Sequence, residues 1–137
     1  MFNGFAESAV SGGTLGGFLL LAFALLIGHA LADYPLQGAF LATGKNRNGD
    51  PSDFFGGTSV PKRLWLHALT AHSLIHAGFV WVITGSAALA LAEFILHWII
   101  DLIRCDERIS YNIDQLFHCL CKLAYAALLA SGMRMPF

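Results

Sequence analysis

Glu93-Phe94-Ile95-Leu96-His97-Trp98-Ile99-Ile100-Asp101 sets three ionisable residues four apart in an otherwise apolar run. On an α-helix a four-residue step turns a side chain by about 40° and climbs about 6 Å, so the three stack on one face. Ionisable groups in apolar helices are costly and therefore face a partner, a cavity or a bound ion. The same spacing recurs at His29/Asp33, His72/His76 and Asp114/His118, so five of the six histidines belong to such pairs. Four helices that each carry a polar stripe predict an all-α protein with one convergent site.

Composition says what surrounds that site. Hydrophobic residues make up 56% of the 137-residue chain and charged residues 12%, and the mean hydropathy is +0.62. A soluble domain carries about 25% charge to cover its surface. This chain lacks that charge, so it needs lipid. Its net charge of −1, with no basic block, argues against nucleic acid as a partner. Cys105, Cys119 and Cys121 form neither a zinc-ribbon spacing nor an even disulfide set, and they read as packing residues.

Four apolar segments, at about 15–33, 64–83, 87–104 and 113–133, each approach the length that crosses a bilayer. Pro35 stops the first, and Pro61 leads into the second in a first-turn position. No Lys or Arg precedes the first segment, and His29 and Asp33 spoil a cleavage region, so a retained span is expected rather than a signal peptide. Thr84-Gly85-Ser86 is the whole link between the second and third segments, which enforces an antiparallel hairpin. The polar stretch 36–62 reads as an exposed loop that rests partly on the membrane through Phe54 and Phe55. The expected architecture is an antiparallel four-helix transmembrane bundle forming a single domain.

Lys45, Arg47, Lys62, Arg63, Arg104 and Arg108 fall on the side of the first and third loops, whereas Arg134 falls on the other. The positive-inside rule then places those loops in the cytoplasm and both termini on the non-cytoplasmic side. Antiparallel connectivity brings all four polar pairs to one level, near the cytoplasmic face. Gln37 continues the first stripe beyond Pro35, and Lys122 continues the last one turn deeper, where Glu93 is its natural counter-ion. His67 lies about 140° around its helix from His72 and reads as interfacial.

Imidazole with carboxylate suits a divalent ion, zinc ahead of iron or manganese. Bundle-core metal sites use inward His and carboxylate residues at helical spacing. The candidate ligands are His29, Asp33, His72, His76, His97, Asp101 and His118, with Asp114 or Glu93 as general base. That set exceeds what one zinc requires, so either two ions bind or some residues orient the others. Each pair taken alone could equally be a buried hydrogen bond joining helices.

At these residues a likeness emerges. Gly28-His29-Ala30-Leu31-Ala32-Asp33-Tyr34-Pro35-Leu36-Gln37, His97-Trp98-Ile99-Ile100-Asp101 and Asp114-Gln115-Leu116-Phe117-His118 resemble the bacterial and phage membrane family called domain of unknown function 3307. The resemblance covers most of the chain and implies a small polytopic membrane protein, without an activity. More distantly, the His and Asp arrangement is similar to membrane-bound metal-dependent hydrolases.

Three functions follow as expectations. The first is a metal-dependent membrane hydrolase acting on a lipid-like ester or phosphoester. The second is a haem- or metal-binding membrane protein, although haem explains neither the paired aspartates nor their shared level. The third is an accessory subunit of a larger membrane complex, or a homo-oligomer, with the polar pairs joining helices. No Gly-rich phosphate loop and no Ser, Cys or Thr nucleophile motif identifies a substrate.

Overall fold

The computed structural model describes residues 15–132. Met133, where the fourth predicted span ends, lies outside them, as do Arg134 and both termini, on which part of the orientation reading rests. The described residues are helical, without strands: α1 (Leu15–Asp33), α2 (Gly38–Gly44), a short 3-10 turn (Ser52–Phe55), α3 (Leu64–Thr84), α4 (Ala87–Cys105) and α5 (Tyr111–Ala130). Helices α1, α3 and α5 are long and apolar enough to cross a membrane. Helix α4 matches α1 in length but carries Glu93, Asp101 and Arg104.

Local chemistry sets the boundaries. Pro35 offers no N–H and α1 stops at Asp33, two residues earlier. Gly85, at φ 71°, takes the left-handed conformation that ends α3, and its N–H donates to Trp81 O at 2.8 Å. One residue on, the Ser86 hydroxyl accepts the Leu89 N–H and opens α4, so the hairpin link is both stop and start. Ser110 caps α5 in the same way through Ile113 N–H. Pro61 sits ahead of α3 rather than in its first turn: its carbonyl accepts the Leu64 N–H, and the helix begins at Leu64.

The four long helices close a ring in which α1 packs on α3 and α5, and α4 packs on α3 and α5. Gly28 permits the α1–α3 approach, since a Cβ there would lie 3.1 Å from the Phe79 side chain. One end of the ring is an apolar core of Leu21, Ala22 and Leu25 with Val80, Leu89, Tyr125 and Ala126. Those residues come from the start of α1 and α4 and the end of α3 and α5, so neighbouring long helices run antiparallel. The outward faces are apolar too: Phe23 and Ile27, Leu74 and Trp81, Ile95 and Ile99, and Leu116 and Leu120 are all exposed. An apolar exterior around a polar interior is suited to lipid rather than water.

The segment between α1 and α3 is more ordered than a plain exposed loop. Helix α2 packs on α3. The Phe40 ring meets Phe54 and Phe55 at 5.5 and 6.4 Å. Arg47 forms a two-pronged ion pair with Asp106, and Asn48 Nδ2 donates to Cys105 O at 3.1 Å. These contacts bind the segment to the end of α4.

Candidate metal centre

All four helical pairs meet. His29 and Asp33 close α1, His72 and His76 lie on the inner face of α3, His97 and Asp101 sit in the second half of α4, and Asp114 and His118 open α5. His72, His76, His97 and His118 are each no more than 1% exposed, and Asp101 and Asp114 are nearly as buried. His67 is exposed, in keeping with its position around the helix from His72.

The imidazoles form a stack. The His97 ring lies 3.6 Å from His76 and 4.1 Å from His118, both near parallel, and His72 meets His97 edge-on at 5.0 Å. Around them two carboxylates act as hubs. His76 Nε2 donates to Asp33 Oδ1 at 3.0 Å, while His72 Nε2 stands 3.3 Å from the same oxygen. His118 Nε2 donates to Asp101 Oδ1 at 3.2 Å, and His97 Nε2 lies 3.7 Å from it.

Two sets of ligand atoms result. Asp33, His72, His76 and His97 each bring one donor within 4.8 Å of the others, and so do His97, Asp101 and His118. His97 belongs to both. Nε2 of His72 and Nε2 of His97 are buried without a hydrogen-bond partner. The same is true of Nδ1 of His29, His72 and His76; buried polar atoms are normally satisfied, so this cluster leaves lone pairs and N–H groups that a bound ligand could engage.

The remaining predicted residues frame these sets. His29 Nε2 donates to Gln115 Oε1 at 3.3 Å and stands 3.4 Å from Asp33, outside both sets. Asp114 lies beside His118 at 3.5 Å. Glu93 Oε1 accepts from Lys122 Nζ at 2.6 Å and from His97 Nδ1 at 3.2 Å, so the expected counter-ion of Lys122 is the observed one.

Two contributors escaped the sequence reading. Lys45, at the end of α2, reaches into the cluster and donates to Asp101 Oδ2 at 2.6 Å and to Gln37 Oε1 at 2.8 Å. No helical period marks it, because it arrives from the connecting segment. Gln115 Nε2 donates to Asp33 Oδ2 at 2.9 Å, linking α5 to α1. It sits next to Asp114 in sequence, so its stripe is offset from the His/Asp stripe of α5.

A cavity of about 320 Å³ joins the cluster to the outside at this end of the ring. Asp33, Asp101 and Asp114 line it together with Lys45, Gln115 and Arg104, as do Tyr34 and Tyr111, hydrogen-bonded at 2.8 Å through their hydroxyls. With neutral imidazoles, the carboxylates of Asp33, Glu93, Asp101 and Asp114 face only the ammonium groups of Lys45 and Lys122 as paired cations, a formal −2. Among the described residues Arg104 forms no ion pair with them. On that count a divalent cation would restore neutrality.

No curated protein and no solved structure matches the chain. A family model described as "Protein of unknown function (DUF3307)" matches residues 21–134, a stretch that contains every member of the cluster. The chain belongs to the DUF3307 family.

Proposed function

We propose that the protein is an antiparallel four-helix transmembrane bundle that holds a divalent metal ion, zinc ahead of iron or manganese, and hydrolyses a lipid-like ester or phosphoester. Helix α4 is the fourth span. Its outer face is as apolar as those of α1, α3 and α5, and its charges Glu93 and Asp101 are buried inward. The basic residues of the two connecting segments put the cluster near the cytoplasmic face of a bacterial inner membrane, with both termini on the other side.

The observation that carries the metal reading is the pair of overlapping ligand sets that share His97 and leave Nε2 of His72 and His97 unpartnered. Asp33, His72, His76 and His97 are the primary ligands, with Asp101 and His118 completing the second set. His29 and Gln115 orient Asp33 from outside. An ion there supplies a polarised water at neutral pH. Asp114, lining the cavity beside His118, is the general base. Glu93 lies inward of the cavity and is engaged by Lys122, so it is the weaker choice for that role. A lipid headgroup enters through the cavity while the acyl chains stay along the apolar outer faces.

The test is release of products from phospholipid and neutral-ester vesicles by reconstituted, metal-loaded protein. Asp114→Asn should lower the rate by about 100-fold or more with metal content unchanged. No hydrolysis of either class by metal-loaded protein would remove the enzyme reading, and a visible absorption band would favour haem. A second reading, an accessory subunit of a larger membrane complex, draws support from Lys45–Asp101 and Lys122–Glu93, ion pairs that join elements without any ligand.

A further inference from the structure

The His97 ring has its two nitrogens in opposite circumstances. Nδ1 faces Glu93 Oε1 at 3.2 Å on its own helix, one turn back. Nε2 faces the cluster and has no hydrogen-bond partner. A carboxylate accepts but cannot donate, so Nδ1 carries the proton and Nε2 presents its lone pair. Histidine ligands of metals are commonly fixed in this way by a carboxylate on the far nitrogen, which sets the tautomer and raises the basicity of the ligating atom.

Glu93 itself is fixed from a third helix. Lys122 Nζ donates to the same Oε1 at 2.6 Å, and both side chains are almost fully buried. Two groups of opposite charge buried together in this apolar surrounding each offset the other's burial. The other Glu93 oxygen, Oε2, has no hydrogen-bond partner, so Lys122 and His97 converge on one atom.

We infer that Glu93 and Lys122 form a positioning unit that holds His97, the residue common to both ligand sets, as its Nδ1–H tautomer with Nε2 directed at the metal. The inference rests on the metal reading for its purpose but not for its test, because the tautomer is a property of the metal-free protein. Glu93 acts through His97 and touches no substrate. The lysine, deep in a span, fixes Glu93 Oε1 in place.

The experiment combines nitrogen-15 NMR of the imidazoles in detergent-solubilised, metal-free protein with zinc titration of the same samples. In the wild type, His97 should show a protonated Nδ1 and an unprotonated Nε2. The double variant Glu93→Gln/Lys122→Met keeps an acceptor oxygen for Nδ1 and leaves no buried charge; it should keep the tautomer and bind zinc nearly as well as wild type. Glu93→Leu/Lys122→Met, equally free of charge, should lose the tautomer preference and bind zinc about 10- to 100-fold more weakly, with helical content unchanged. A protonated Nε2 on His97 in the wild type would overturn the inference, and so, where the wild type binds zinc, would equal zinc affinity in the two double variants. Zinc binding that is absent from the wild type while the tautomer is as stated would instead overturn the metal reading and leave the positioning unit standing.

Discussion

The two ends of the same four helices are built on opposite principles. At one end Leu21, Leu25, Val80, Leu89, Tyr125 and Ala126 fill the interior by contact alone. At the other, five imidazoles, four carboxylates and two lysines fill a similar space through directional bonds, and several buried nitrogens go without a partner. Helix packing in a membrane does not require the second arrangement, because close contact of small and apolar side chains suffices. Replacing buried ion pairs with apolar residues is often neutral or stabilising. On the metal reading the polar end serves something other than holding the helices together, and the apolar end supplies the stability that lets it do so.

That contrast can be broken most sharply at His97. His97→Ala should abolish metal binding outright, because it removes a ligand from both sets, while circular dichroism shows a helical fold of undiminished content. Unfolding of this variant would mean that the polar end is structural after all. Leu25→Ala, at the apolar end and 1% exposed, should do the reverse. It should lower stability by about 2–5 kcal/mol in reversible unfolding and leave metal stoichiometry unchanged.

Lys45 sharpens the comparison, since its ammonium stands against Asp101 Oδ2, the oxygen beside the one that faces His97 and His118. Lys45→Met should strengthen zinc binding by about tenfold, the order expected when a nearby like charge is removed from a partly screened site. Weaker binding in isothermal titration would show that Lys45 supports the site rather than competing with the ion.

The smallest effect belongs to the surface. The Arg47 hydrogen bonds beside Asp106 hold its carboxyl below the usual carboxylate range. Its contribution is then fully present above the ordinary value of about 3.9 and is lost as pH falls below that through the lowered folded value. Asp106→Asn should melt slightly earlier than wild type at neutral pH, and the two melting curves should converge in acid. A gap that persists in acid would point to a cause other than this charge.

Much of this arrangement is legible in the sequence because four-residue spacing and antiparallel connectivity both constrain where side chains go. His29, Asp33, His72, His76, His97, Asp101, Asp114 and His118 could be assigned to one interior level from helix period and turn positions alone, and Lys122 found Glu93 because each lies one turn inward of its pair. The connecting segment is where this logic ends. Lys45 carries no periodic signal, and its route into the cluster depends on α2 packing against α3, a tertiary contact. Gln115 was hidden for a related reason: a bridge between α1 and α5 depends on the rotation of one helix against the other, which spacing within a single helix does not set.

The central claim, that the polar end holds a divalent ion, is tested most directly by elemental analysis of the detergent-purified full chain, prepared without chelator and again after reconstitution with zinc, iron or manganese. The account predicts about one equivalent or more of a bound transition metal per chain, lost in His97→Ala. Less than about a tenth of an equivalent of every metal after attempted reconstitution, in protein shown to be folded, would contradict it.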